Sequence, residues 1–289
     1  MIVDLHQNTP EWMAFRSDRL GASDASIILG INKWKTPLQL WNEKLGLNEP
    51  EQQNFAMTRG HALEDLARKT FTEYTGYEVE PKIFVHPEYN FMMASLDGIT
   101  EDLQTAVEIK CNGRENHELA LKGQIPDYYN AQMQHQMFVC ELNWMYYFSF
   151  DGKDGVHIIV GREEKFIKNM IEKELEFYRC MKEFIPPNMI EKDFTIRRDC
   201  EWAEASKQYL YAKQKLKKYI TQEKEARLAL IRLSDEKNTT GSGVKLSKIF
   251  RKGLVDYKKI PELSCVDLDL YRSDPVISWT LTEIKVNNE

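Results

Sequence analysis

Ala94-Ser95-Leu96-Asp97-Gly98 and, one turn later, Val107-Glu108-Ile109-Lys110-Cys111 are the two stretches on which the reading of this chain rests. Each is an apolar run carrying charge where a buried strand would have none. In an extended strand, residues i and i+2 point to the same face. Glu108 and Lys110 therefore project together, while Val107, Ile109 and Cys111 turn to the opposite, buried side. Pairing of the two runs carries Asp97 to the Glu108 face. Two carboxylates and an ammonium gathered there make a poor solvated surface and a good divalent-metal site.

Outward from this pair, the apolar period gives the remaining elements. Strands are predicted over Tyr77–Val85, Phe91–Ser95 and Thr105–Cys111, separated by the turn residues His86-Pro87-Glu88 and Asp97-Gly98. Before them, Met57–Thr75 reads as an amphipathic helix ended by Gly76, with Leu63, Leu66, Ala67, Thr70, Phe71 and Tyr74 on its apolar face. Shorter helices are expected at Pro10–Arg19, with Thr9 as N-cap, at Ser23–Leu29, and at Thr36–Leu45, with Pro37 at its first position. Downstream come a helix at Asp127–Cys140, a hairpin of Trp144–Phe150 with Val156–Val160, and a helix at Glu163–Phe184 that Pro186-Pro187 stops.

The pattern is a mixed α/β (α+β) arrangement, with one domain over 1–187 and a C-terminal extension over 188–289. In the extension, Trp202–Leu233 is a Lys/Glu/Ala/Leu-rich helical stretch with apolar residues at coiled-coil-like intervals. Thr239–Gly243 reads as a flexible turn, and Val244–Phe250 and Val276–Val286 as closing strands. Oligomerisation or DNA contact is the expected role of this region.

Hydrophobic content of 42% and charged content of 29% are those of an ordinary globular protein. A net charge of −6 argues against a wholly basic surface, though a local cationic groove, not the sum, decides nucleic-acid binding. Cys111, Cys140, Cys180, Cys200 and Cys265 are dispersed without a C-x-x-C, which predicts reduced thiols and a cytoplasmic location. Met1–Arg16 lacks a secretory apolar core, and the most hydrophobic run, Trp144–Phe150, is too short to span a bilayer.

Phosphodiester hydrolysis needs an activated water, charge stabilisation at phosphorus and help for the leaving oxygen, all of which carboxylate-held divalent ions supply. Mg²⁺ is content with one or two protein carboxylates plus water and phosphate oxygens. Asp97 and Glu108 fit that demand, with the Ile109 carbonyl as a further ligand. Lys110 could position or deprotonate the attacking water, or stabilise developing charge. Glu64 opens the long helix in Arg59-Gly60-His61-Ala62-Leu63-Glu64, either as a first-turn surface acid or as a third carboxylate at the metal. Tyr129, Gln132 and Gln136 share one helical face, which is either the polar side of a surface helix or a stripe for phosphate and water. Arg19, Ser23 and Ser26 stand at the start of a short helix, a place that favours anions or simply a capping serine. His135 is a lone helical histidine and is read as structural.

Taken together, these residues resemble the YqaJ-like viral recombinases and the lambda-type exonucleases of the PD-(D/E)XK nuclease superfamily. The motifs fall in order: R-x-G-x-S-D-A at Arg19–Ala25, I-L-G at Ile28–Gly30, T-P-x-x-L-W at Thr36–Trp41 and R-G-x-x-x-E at Arg59–Glu64. A-S-x-D-G at Ala94–Gly98, V-E-I-K at Val107–Lys110 and Y-x-x-Q-x-Q at Tyr129–Gln134 complete the series. Leu96 departs from the superfamily's proline before the first acid. The resemblance implies a restriction-endonuclease-like core, a central mixed sheet flanked by helices. It implies one or two Mg²⁺ or Mn²⁺ ions on Asp97, Glu108, the Ile109 carbonyl and Glu64, with Lys110 and Gln132 catalytic. Arg19, Ser26 and Ser95, with Ser23 as the alternative hydroxyl, would match a 5′-phosphate pocket, and Tyr129 the helix facing the metals. The implied activity is 5′→3′ digestion of double-stranded DNA ends. The 3′ overhangs would pass to a single-strand annealing protein, and the enzyme would be a trimeric ring. An endonuclease or nickase on the same core and a non-catalytic DNA-binding scaffold are the alternatives.

Overall fold

The computed structural model describes residues 1–48, 55–111, 113–254, 259–261, 263, 266 and 273, with the backbone alone at 55–61. In chain order the elements are β1 (Ile2–Val3), α1 (Pro10–Ser17), β2 (Leu20–Gly21), α2 (Ala22–Ile28), α3 (Pro37–Lys44) and α4 (Phe55–Thr75). They continue as β3 (Glu80–Val85), β4 (Met92–Ile99), β5 (Ala106–Lys110), α5 (Arg114–Leu121), α6 (Asp127–Val139), β6 (Trp144–Phe150), β7 (Gly155–Gly161) and α7 (Glu164–Lys182). After these come α8 (Cys200–Leu233), β8 (Thr239–Gly241) and β9 (Val244–Leu246). Local chemistry sets several boundaries. Thr9 Oγ1 accepts the Trp12 N–H and Pro10 opens α1, while Thr36 and Gln39 form a reciprocal capping box on α3. Gly76, at φ +77°, follows the end of α4 in a conformation that costs other residues energy.

One mixed sheet runs β1-β3-β4-β5-β6-β7, with β2 added parallel to β4. β5 and β6 are parallel; the other neighbours on the main path are antiparallel. Helices cover both faces. On one, Ala67 and Phe71 of α4 bury Val107, Ile109, Phe148 and Phe150. On the other, Met133 and Met137 of α6 pack with Leu96, Ile99, Ala106 and Tyr147. Alternation along β5 and β6 is therefore regular, as the Glu108/Lys110 reading requires. Val107 and Ile109 enter one apolar cluster, Cys111 packs against it, and Ala106 lies on the other side.

β4 breaks the rule. Leu96 and Ile99, three apart, enter the same apolar cluster, which strict alternation forbids. The register explains this: Glu80 pairs with Ile99 but Lys82 with Leu96, so three steps on β4 oppose two on β3. Asp97-Gly98, expected as a turn, is instead a bulge inside the strand, and the turn falls at residues 100–105. A Cβ on Gly98 would stand 2.7 Å from Val79 Cγ2 and 2.9 Å from Val107 Cγ1. Gly98→Ala is expected to cost about 1–3 kcal/mol through overpacking, seen as a lower urea midpoint at unchanged slope.

The second irregularity is an open edge. β2 pairs with β4 at Met92 and Met93, and β5 pairs with it only at Gly98 and Ile99. Along the edge between, side chains take the place of a strand. The carbonyls of Met93, Ser95 and Asp97 accept from His135 Nε2 at 3.1 Å, Gln136 Nε2 at 3.3 Å and Arg68 Nε at 2.9 Å. The candidate site lies in this gap.

β1, β2 and α5 were not foreseen. β8 lies where a flexible turn was expected, and β9 keeps only the first half of the predicted Val244–Phe250 strand. The expected strand Val276–Val286 lies outside the described residues, as does Cys265. The chain divides into two compact units, Met1–Thr195 and Ile196–Glu289. Among the described residues, no helix is long and apolar enough to cross a membrane.

Candidate active site

The bulge and the open edge together place the acids. Past Gly98 and Val107 the β4–β5 ladder stops, and Asp97 Oδ2 accepts the Ile109 N–H at 2.8 Å in place of a strand carbonyl. A strand residue's N–H and C=O leave the backbone on the same edge, so the Ile109 carbonyl also turns toward this fork. Glu108 is buried beneath α6, 1% exposed. Gln132 Nε2 donates to Glu108 Oε1 at 2.6 Å and Gln136 Nε2 to Glu108 Oε2 at 2.5 Å. Lys110 Nζ pairs with Glu108 Oε1, donates to Gln132 Oε1 at 3.2 Å, and lies 4.9 Å from the centre of the Tyr129 ring. The amide stripe of α6 is thus turned into the site, not to solvent.

Glu64 reaches the site through Arg68. Arg68 Nη2 meets Glu64 Oε1 at 2.9 Å, Nη1 meets Asp65, and Nε donates to the Asp97 carbonyl. Asp97, Glu108, Lys110, Glu64, Gln132 and Tyr129 are therefore all brought together. Burial pushes the Asp97 carboxyl well above the ordinary carboxylate range, and the Glu108 and Glu64 charges add to the push against Lys110 and the Ile109 N–H. Burial opposes the charge on Lys110, but the Glu108 and Asp97 carboxylates outweigh it and raise its pKa, so it is an ammonium.

Two buried carboxylates that repel one another are a standing demand for a cation. Among the described residues no group of three His, Cys, Asp or Glu side chains closes on one point. Two hard carboxylates, with the remaining positions left to carbonyl, water and substrate oxygens, fit Mg²⁺ or Mn²⁺. Beside them, Gln136 Oε1 is a buried acceptor without a partner among the described residues. Asp97, Glu108 and the Ile109 carbonyl are the groups that would hold the ion.

The candidate anion site is arranged differently from the sequence expectation. Arg19 turns back on its own helix: Nη1 donates to the Phe15 carbonyl at 2.9 Å and to Asp18 at 2.6 Å, and the guanidinium lies 3.9 Å from the Phe15 ring centre. Ser26 is buried and accepts from Asn32 Nδ2 at 3.0 Å. The guanidinium that reaches the exposed Ser23 is that of Arg16, with Nη2 2.9 Å from Ser23 Oγ and 2.9 Å from Asp24 Oδ1. It stands 5.4 Å from the ring centre of Trp12, whose Nε1 donates to Ser95 Oγ at 3.1 Å. Ser95 in turn is two residues from Asp97 on β4. Arg16, Ser23, Trp12 and Ser95 form one chain of contacts, and Arg19 and Ser26 lie outside it.

Asp24 holds this chain in place. It accepts from the Gly21 N–H at 2.9 Å and pairs with Lys44 at 2.8 Å. Burial alone would raise its carboxyl, but Lys44 and Arg16 hold it well below the usual carboxylate range. Sequence reading missed Arg16, Asp24 and Lys44. The one signal available was Gly21 followed three residues later by an acid, a cap pattern at the start of α2.

His135 is structural, though not alone. It is fully buried between Glu174 Oε1, 2.8 Å from Nδ1, and the Met93 carbonyl.

The residues of this site, from Trp12 to Gln136, lie within the segment that is similar to known proteins. Residues 11–143 match the YqaJ-like viral recombinase domain. The chain is 36% identical over 174 residues to the uncharacterized protein YqaJ of Bacillus subtilis (strain 168), covering 58% of this chain and 54% of that protein. It is 30% identical over 156 residues to an uncharacterized protein of Acanthamoeba polyphaga mimivirus, covering 49% and 28% respectively. It thus spans about half or less of these curated relatives. Among solved structures, the alkaline exonuclease LHK-Exo from Laribacter hongkongensis superposes with a TM-score of 0.53 at 26% identity, over 61% of this chain and 94% of that one. The same enzyme in complex with dAMP gives 0.54 at 27%, with the same coverage. The sheet order, the fork between β4 and β5, and the ordered motifs agree with these likenesses: residues 11–143 resemble the YqaJ-like viral recombinase domain, on a core with the PD-(D/E)XK-type exonuclease fold.

Proposed function

We propose that this protein is a Mg²⁺-dependent exonuclease that digests one strand of double-stranded DNA from its 5′ end. The 3′ strand left behind would pass to a single-strand annealing protein for recombination. The observation that carries the reading is the buried Asp97–Glu108 pair, with a charged Lys110 beside it and with Asp97 on the strand that also carries Ser95 of the Arg16–Ser23–Trp12–Ser95 chain of contacts. The related exonuclease binds dAMP, a mononucleotide of the kind that stepwise digestion releases.

A bound Mg²⁺ would polarise a phosphate oxygen and lower the pKa of an attacking water. Everything else falls to the chain's own residues. Asp97 and Glu108 hold their oxygens toward the fork; Gln132 and Gln136 fix the rotamer of Glu108, and the Ile109 N–H that of Asp97. Lys110, held as an ammonium, suits orienting water and stabilising charge at phosphorus better than taking a proton. Arg16 and Ser23 suit a terminal phosphate, because a guanidinium and a hydroxyl both donate to its oxygens. A ring of three copies around the duplex would make digestion processive.

Linear duplex with 5′-phosphate ends, the same duplex with 5′-hydroxyl ends, and a covalently closed circle separate the readings. Digestion of the phosphorylated linear DNA, abolished by EDTA and absent on the circle, is the expected result. Cutting of the circle would make the protein an endonuclease, and binding without cutting a scaffold. Arg16→Ala should reduce the preference for 5′-phosphate by about 1.5–3 kcal/mol, roughly 10–150-fold, whereas Arg19→Ala should leave it unchanged.

A further inference from the structure

None of the 34 residues of α8 is buried. A heptad of apolar residues nevertheless runs along it, with Leu210, Tyr211, Ile220, Leu228 and Ile231 outside the seam. Trp202, Tyr209, Leu216 and Leu230 recur at one core position, with Glu223 at the remaining turn. Ala205, Ala212, Tyr219, Ala226 and Leu233 recur at the other. Trp202, Leu216, Tyr219 and Leu233 are 49, 59, 61 and 82% exposed. A seam of this length and regularity is built for a second helix.

Size and charge say which helix. In a parallel in-register pair, each layer meets its own copy. Ala205, Ala212 and Ala226 then face alanines and leave gaps, between layers crowded by two tryptophans or two tyrosines. Glu223 faces Glu223, like charge on like charge. In an antiparallel pair centred at the level of 217–218, each alanine of the seam faces a larger residue, and no tryptophan or tyrosine faces its own copy. Ala205 takes Leu230, Tyr209 takes Ala226, Leu216 takes Tyr219, and Trp202 takes Leu233. Glu223 falls opposite Ala212, next to Lys213 of the other helix. The flanking cations face neutral groups: Lys213 meets Ile220, Lys215 meets Gln222 and Arg227 meets Ser206. The surface thus matches its own copy better under an antiparallel two-fold axis than in a parallel in-register pair. We propose that α8 pairs antiparallel with the α8 of a second copy of this chain.

The pairing adds a two-fold contact whatever the Met1–Thr195 units do among themselves. In light scattering on the full chain, Leu216→Glu/Tyr219→Glu is expected to halve the oligomer mass, in steps of the 34.0 kDa chain. Circular dichroism of the same variant checks that the nuclease unit stays folded. A spin label on Gln208→Cys, with the exposed Cys200 replaced by Ser, reads the direction. Two labels about 30 Å apart, the span of 21 helical residues, are expected for the antiparallel pair. A distance of about 10 Å would mean a parallel pair and overturn the proposal. An unchanged mass in the double-Glu variant would also overturn it. If that variant lost DNA affinity at unchanged mass, the face would belong to nucleic acid.

Discussion

Asp97→Asn is expected to reduce Mg²⁺-dependent DNA digestion by about a thousandfold or more while raising the melting temperature of the metal-free protein. The loss corresponds to the several kcal/mol of charge stabilisation that a bound divalent ion supplies. The gain follows from the same atoms. Asp97 is buried against Glu108, and its carboxyl is pushed well above the ordinary range, so the fold carries an electrostatic cost at neutral pH. Asparagine keeps the shape and can still accept the Ile109 N–H, but removes the repulsion. Opposite signs in activity and stability are the signature of a residue kept for chemistry. A variant that melts lower and is equally inactive would make Asp97 a structural residue, and one that digests DNA at the normal rate would remove it from the site altogether.

The second large effect is expected away from the acids. Glu174→Gln leaves His135 buried without its carboxylate, and removal of one partner from a buried pair costs about 3–5 kcal/mol. At this chain length that is a fall of roughly 10 °C in Tm. Part of it should return in His135→Leu/Glu174→Leu, where neither charge remains. If the single and double variants melt alike, the pair is not the source of the loss. Burial alone would lower the pKa of His135, but Glu174 and the Met93 carbonyl raise it on balance. A pKa raised in the folded state gives stability that is full below the unfolded value of about 6.5 and is lost as pH rises through the folded one. Tm of the native chain should therefore fall with rising pH over that window, and the slope should flatten in the double variant.

Much of the centre was legible because Glu-Ile-Lys sits on a strand buried on both faces, where alternation has one meaning. The carboxylate and the ammonium had to share a side. β4 was harder, because its bulge is set by Val79, Val107 and the pairing with β3, none of which a local window contains. Asp97-Gly98 accordingly read as a turn. The two-residue strands β1 and β2 are too short to show a period. α5 follows Gly113, an N-cap with no side chain to cap it, leaving no start signal. Arg16 and Arg19 are one helical turn apart, and either could have served Ser23. Only the backbone after α1, which sends Arg19 onto Phe15, distinguishes them. His135 and Glu174 are 39 residues apart, so their pairing is invisible until α6 and α7 pack.

The bond from the Ile109 amide to the Asp97 carboxylate gives the site a reporter made of main chain. An amide inside a strand ladder points at a neutral carbonyl, whose charge never changes. This one points at a group whose charge is set by protons, cations and substrate. In a ¹⁵N-labelled sample, the Ile109 resonance should therefore shift on Mg²⁺ addition without DNA present, and stay still in Asp97→Asn. The chain can thus be asked whether its centre is loaded without being asked to turn over.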